Sequence, residues 1–201
     1  MHLVKWEVVK KTRADGGLQI RDPALVNLAM GGNFLWKLIH EPTHPISVLL
    51  STKYRPNKDL SNLENVNVAN STQVWKLCCR SSKLFNKQAY RILGNGKRTH
   101  LWKDRIMGNE PLKNKEDIAK LRDWLKQAGV NTIFELSKWD QRGDWIGWDF
   151  HGIPERLIYQ QTMLEDLLEE AAPTNRYMND KWGWGQTRVY TTAAGYRALQ
   201  E

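Results

Sequence analysis

Two adjacent glycines inside an otherwise helical stretch constrain this chain more than any other feature. Asp22-Pro23 has the chemistry of a helix start, with Asp as the capping acceptor and Pro in the first turn. Leu25, Leu28, Leu35, Leu38 and Ile39 then follow at helical spacing up to a stop near Pro42. Gly31-Gly32 falls in the middle and costs about 1 kcal/mol per glycine in helix propensity. The sequence predicts that close approach of another helix compensates.

The other segments are short. Residues 46–54 read as a second short helix or an extended piece, and residues 55–70, rich in Asn, Asp and Ser, as a loop. Ser71 or Thr72 can cap a helix carrying Val74, Trp75, Leu77, Cys78 and Leu84 inward and Lys76, Arg80, Lys83 and Lys87 outward. Residues 90–93 and 99–102 flank Gly94-Asn95-Gly96-Lys97, and Asn-Gly predicts a β-hairpin there. Asn114 can cap a helix with Ile118, Leu121, Trp124, Leu125 and Ala128 on its apolar face, closed by Gly129. Thr132 starts another short element, residues 139–152 read as loop, and Pro154 opens a helix with Leu157, Met163, Leu164, Leu167 and Leu168. A second hairpin is predicted from residues 181–184 and 188–191, before a terminal helix from Thr192. The expected fold class is mainly α with two small β-hairpins, an α+β chain of irregular helical architecture.

Charge is concentrated rather than spread. Residues 71–109 hold Lys76, Arg80, Lys83, Lys87, Arg91, Lys97, Arg98, Lys103 and Arg105 against one acid, Asp104, so this window equals the formal charge of +8 of the whole chain. A basic segment of that density attracts polyanions, because phosphate contact releases counterions. These nine residues are the candidate nucleic-acid contacts. The ten tryptophans run from Trp6 to Trp184, which suits core use through most of the chain. Trp139, Trp145 and Trp148 lie in one loop and offer flat faces, so a carbohydrate or protein interaction module is the alternative reading.

Three blocks carry a resemblance. The first runs from Trp6-Glu7-Val8-Val9 through Gly16-Gly17-Leu18-Gln19-Ile20-Arg21-Asp22 to Asn27-Leu28-Ala29-Met30 and Leu35-Trp36-Lys37-Leu38. The second is Ile92-Leu93-Gly94-Asn95-Gly96 with Leu101-Trp102-Lys103-Asp104 and Gly108-Asn109-Glu110-Pro111-Leu112. The third is Trp182-Gly183-Trp184 with Val189-Tyr190-Thr191-Thr192-Ala193-Ala194-Gly195-Tyr196. In order and spacing they resemble the post-polymerase region of plant LINE-type (non-LTR) retrotransposon reverse transcriptases, up to the entry of their zinc-binding domain. The chain departs from that pattern at Gln19 and Arg188, where the family has Gly, at Ala194 for Lys or Ser, and at Met107 or Ile106 for a second Trp.

The resemblance implies five parts: a post-polymerase helical segment over 1–54, a loop over 55–70, a basic helix and hairpin over 71–112, a helical segment with the Trp-rich loop over 113–175, and the start of the zinc-binding region over 176–201. It leaves open whether the core is complete or is finished by neighbouring sequence, and it implies no catalysis by this piece, since the paired aspartates of the polymerase are absent. The Cys/His cluster of the zinc domain is also absent. The expected partners are RNA or DNA, bound without sequence preference, unless the piece is a transposon relic without selected function; no membrane, small-molecule substrate or cofactor is expected.

The residues themselves agree. Asp140, Asp144, Asp149 and Glu155 share one loop with Arg142, whereas two-metal chemistry draws carboxylates from separate rigid elements. Pro42 and Pro45 break the helix that would align His40 with His44. Cys78 and Cys79 are neighbours that cannot form a metal site alone, and read as buried helical thiols. No run reaches the roughly 18 apolar residues of a membrane span, and no signal-peptide pattern opens the chain. The expected location is intracellular.

Overall fold

The computed structural model describes residues 4–11, 13–54, 63, 66–106 and 110–200. Most of the predicted 55–70 loop, and Met107, Gly108 and Asn109 of the second block, lie outside them. The described residues form eight α-helices and two two-stranded antiparallel sheets, so the fold is α+β. The chain packs as two compact units: residues 1–87 with 189–201, and residues 88–188. The predicted segment 71–112 is therefore divided between them.

The first unit contains α1 (Trp6–Lys10), α2 (Pro23–His40), α3 (Pro45–Tyr54), most of α4 (Gln73–Gln88) and, from the chain's end, α8 (Thr192–Ala198). Asp22 caps α2, its Oδ1 accepting the Ala24 N–H at 2.9 Å while Oδ2 holds the Lys10 ammonium at 3.0 Å. The Asp22 N–H donates to the Tyr196 hydroxyl of α8. The glycine pair is explained by contact on two sides. A Cβ at Gly31 would strike Leu77 and Ser81 of α4, and one at Gly32 would come within 2.6 Å of the Tyr190 ring. Tyr190 is locked over α2 by its hydroxyl, which donates to the Ala29 carbonyl at 2.7 Å.

On α4 the buried face is Trp75, Cys78, Cys79, Ser81, Ser82, Leu84 and Phe85. Trp75 stacks on Tyr54 of α3, ring centroids 4.7 Å apart. The adjacent cysteines are buried free thiols. Desolvation, with the neighbouring Cys79, pushes the Cys78 thiol up to about 12, so it stays protonated and unreactive.

In the second unit, β1 (Ala89–Ile92) pairs antiparallel with β4 (Lys181–Trp184), Ala89 opposite Trp184 and Ile92 opposite Lys181. Both predicted hairpins are thereby corrected: their first strands pair with each other. Residues 99–102 do not return along β1, because the Leu101 N–H donates to Asn131 and the Thr99 carbonyl accepts from Ile133. Past Trp184 the chain turns through Arg188 at φ 62°, and residues from Val189 onward pack in the first unit. The stretch read as loop instead forms a true hairpin, β2 (Ser137–Trp139) with β3 (Trp145–Trp148). Its turn uses Gly143 at φ 86°, a left-handed conformation that suits glycine.

The helices of this unit are α5 (Ala119–Gln127), α6 (Ile133–Leu136) and α7 (Ile158–Leu167). Asn114 does not cap α5: it ends a 3₁₀ turn (Leu112–Asn114), and the helix starts after Ile118. Gly129 closes it at φ 87°, as its position predicts. Thr132 and Glu135 form a reciprocal capping box on α6. The core gathers Leu101, Trp102, Ile118, Leu121, Leu125, Ile133, Leu136 and Leu164, with Trp124 and Trp148 half-buried against it.

Candidate nucleic-acid interface

The nine predicted contacts fall into two groups, one in each unit. Lys76, Arg80, Lys83 and Lys87 sit on α4 at intervals of four, three and four residues, which aligns them as one stripe along the helix. Arg80, Lys83 and Lys87 are exposed and Lys76 is half-buried. The stripe lies away from the buried Cys78, Leu84 and Phe85, so helical amphipathicity alone positions these charges.

The second group is less uniform. Lys97, Arg98 and Lys103 are exposed, and Arg105 is half-buried with its carbonyl accepting the Arg91 N–H at 2.7 Å. Arg91 is only 8% exposed. Its guanidinium lies 3.8 Å from the Trp182 ring centroid and 3.4 Å from the buried carboxylate of Asp104. As an expected phosphate contact Arg91 is thus corrected: β1 turns it inward, where it neutralises the one acid of the basic segment.

The Gly94–Thr99 loop has an organiser that no local pattern announces. Asp180, 7% exposed, accepts the N–H groups of Gly94 and Gly96 on Oδ1, and the Arg98 N–H and Thr99 hydroxyl on Oδ2, at 2.7 to 2.9 Å. Three backbone donors converging on one carboxylate form an anion-binding concavity, filled here by the chain itself. Gly96 adopts φ 75°, and a Cβ there would meet Ile133. Asn-Gly therefore serves a carboxylate-centred loop in place of a hairpin turn.

Residues outside the predicted set join this surface. The Lys97 ammonium lies 4.6 Å from the Phe134 ring centroid, and the Arg176 guanidinium 5.8 Å from the same ring. Arg176 and its neighbour Tyr177 are exposed. Nothing in the local sequence connects residue 176 with residue 97; the signal would have been the exposed aromatic beside a cation.

The remaining candidates are engaged in structure. Trp139, Trp145 and Trp148 are half-buried, and Trp145 packs edge-on to Trp148 at 5.1 Å. Asp140 Oδ1 accepts the N–H groups of Arg142 and Asp144, while Asp144 accepts from the Asn175 side chain. His40 stacks on Trp36, whereas His44 Nε2 lies 3.2 Å from the Lys37 ammonium. Among the described residues no three His, Cys, Asp or Glu side chains are placed to hold a metal ion. No helix among them is long and apolar enough to cross a membrane.

Over 111 residues, 54% of its length, the chain is 30% identical to a protein of Arabidopsis thaliana named "Uncharacterized mitochondrial protein", of which the match covers 71%. Over 150 residues, 74% of its length, it is 23% identical to a second Arabidopsis thaliana protein, named "Putative ribonuclease H protein". That match covers 23% of the second protein, so the chain spans less than a quarter of it. No protein-family model matches the chain, and no solved structure matches it.

Proposed function

We propose a function from one premise: the chain belongs to the family of the uncharacterized mitochondrial protein of Arabidopsis thaliana. It is a transposon-derived segment, the post-polymerase part of a LINE-type reverse transcriptase. It binds RNA or DNA through phosphates without reading bases, and it catalyses nothing by itself. The three sequence blocks support the origin, as does similarity to a protein named for ribonuclease H. The backbone adds support. Among the described residues the two non-glycines at positive φ are Gln19 (55°) and Arg188 (62°), the two positions at which this chain departs from the glycines of the LINE pattern. A left-handed backbone there is what a glycine ancestor would have imposed.

The observation that carries the binding role is the exposure of Arg80, Lys83, Lys87, Lys97, Arg98 and Lys103 while the segment's acid, Asp104, is buried against Arg91. Such side chains supply sequence-independent affinity that falls steeply with salt. The test replaces Arg80, Lys83 and Lys87, or separately Lys97, Arg98 and Lys103, by Ala and measures binding of an RNA hairpin and a DNA duplex across a salt series. Each lost phosphate contact should flatten the log–log slope by about 0.7 to 0.9. Unchanged affinity and slope in both variants would sink the proposal. A ribonuclease H assay on an RNA–DNA hybrid with Mg²⁺ or Mn²⁺ should show no cleavage, and cleavage would refute the non-catalytic reading. The indoles are half-buried, Trp145 edge-on to Trp148 and Trp139 against Phe134, an arrangement that favours core packing over a carbohydrate site.

A further inference from the structure

We infer that Lys97, Arg98, Phe134, Arg176 and Tyr177 form a stacking platform for the bases of a single-stranded polynucleotide, an inference that rests on the phosphate-binding reading above and adds a base-contacting site to it. Three separate stretches of the second unit build this place. The Gly94 carbonyl accepts the Thr174 N–H at 2.9 Å, and the Asn95 side-chain amide donates to the Arg176 carbonyl at 3.4 Å. The Phe134 N–H donates to the Gly96 carbonyl at 3.2 Å, and the Arg176 N–H to the Gly143 carbonyl at 2.7 Å. Asp180 ties the same loop from beneath with four hydrogen bonds. The backbones are thus fixed, and the cations and rings they carry share one frame.

The side chains on that frame have the two properties a single strand needs. Two cations flank one ring, Lys97 at 4.6 Å and Arg176 at 5.8 Å from the Phe134 centroid. Tyr177 is 75% exposed although its ring rests on Gly143, where a Cβ would come within 2.6 Å of it. An aromatic laid against backbone yet left in water loses little conformational freedom when a base covers it. The acids nearby are engaged: Asp180 is buried among its donors, Asp144 accepts from Asn175, and Asp140 accepts two backbone N–H groups. Stacking demands an uncovered base face, which single strands present and duplexes hide, while cations on either side follow the backbone.

The experiment measures anisotropy of a labelled oligothymidylate and of a duplex of equal length with the full chain and with Tyr177→Ala, Tyr177→Phe and Arg176→Ala. Tyr177→Ala should weaken oligothymidylate binding by about 5- to 150-fold, the range for loss of one base stack, with duplex binding unchanged. Tyr177→Phe should retain the affinity, because the ring and not the hydroxyl stacks. Arg176→Ala should weaken single-strand binding and flatten its salt slope. If Tyr177→Ala leaves oligothymidylate binding intact, the platform is wrong; salt-dependent duplex binding that still falls with the α4 substitutions would then leave the phosphate-binding reading standing. Absence of any binding at low salt would overturn both. Polyglutamate competing as well as oligothymidylate would make the surface a general acidic-polymer site and overturn the platform.

Discussion

Single carboxylates decide a large part of this structure. Asp180 lies in a polar run between Asn179 and Lys181, with nothing nearby to mark it, yet it is buried under three backbone N–H groups and a hydroxyl. Charge-assisted hydrogen bonds of this kind contribute about 1.5–3 kcal/mol each, and orphaned donors add desolvation cost. Asp180→Ala should therefore destabilise the chain by about 3 kcal/mol or more in urea unfolding, with Asp180→Asn intermediate because one acceptor oxygen remains. Asp22 is different in kind, since its role was legible from Asp22-Pro23. The Lys10 hydrogen bond first, then the Ala24 N–H, hold its carboxyl below the ordinary value of 3.8. A depressed folded value means the stabilisation is present above that ordinary value and is lost as pH falls through the lower one. The urea midpoint of Asp22→Asn should therefore lie below that of the parent at neutral pH, and the two should converge in strong acid. Gln19 and Arg188 point the other way. Each holds a left-handed backbone at a steric cost that glycine avoids, so Gln19→Gly and Arg188→Gly should each raise stability by up to about 1 kcal/mol in the same assay.

Elements whose hydrogen bonds are local were the ones the sequence foretold. The helices α2, α4, α7 and α8 appear where apolar spacing placed them, because an i→i−4 ladder needs no distant partner. Strands need one. Residues 90–93 and 181–184 read as extended, and local pattern pairs each with its nearest neighbour along the chain, whereas β1 and β4 pair with each other. The choice was made by competition: Asp180 captures the donors of the Asn-Gly turn, and residues 131 and 133 take the backbone groups of Leu101 and Thr99. The β2–β3 hairpin is hidden in the sequence because its Trp, Asp and Gly composition resembles loop. On α2 the glycine pair separates propensity from packing. Propensity alone predicts that Gly32→Ala stabilises by about 1 kcal/mol. Contact with Tyr190 predicts the reverse, a net loss of about 1–3 kcal/mol from overpacking. Thermal or urea unfolding decides between the signs. Repeating Gly32→Ala in a Tyr190→Phe background should shrink the loss, since the hydroxyl lies closest to the added methyl.

Across the whole molecule, the units differ in how the chain enters them. The second is continuous in sequence, and its core residues, from Leu93 to Ala171, all come from within 88–188. The β1–β4 sheet joins the two ends of that stretch, Ala89 opposite Trp184. A polypeptide of residues 88–188 should therefore fold alone and unfold in one cooperative urea transition; a broad, non-cooperative profile would refute this. The first unit is discontinuous, because Tyr190 and α8 return to α2. Removing residues 189–200 should strip the cover from Gly32 and Asp22 and lower its stability.

What the sequence determined by itself was the placement of α2, α4, α7 and α8, the α4 stripe of cations and the concentration of positive charge, all properties of spacing and composition within a few turns of chain. What only the tertiary structure decided was the pairing of β1 with β4, the burial of Arg91 and the meeting of Lys97 with Phe134 and Arg176. These depend on groups up to 95 residues apart, Ala89 and Trp184, competing for the same donors and acceptors, and the outcome follows from which buried polar groups must be satisfied, not from any local preference.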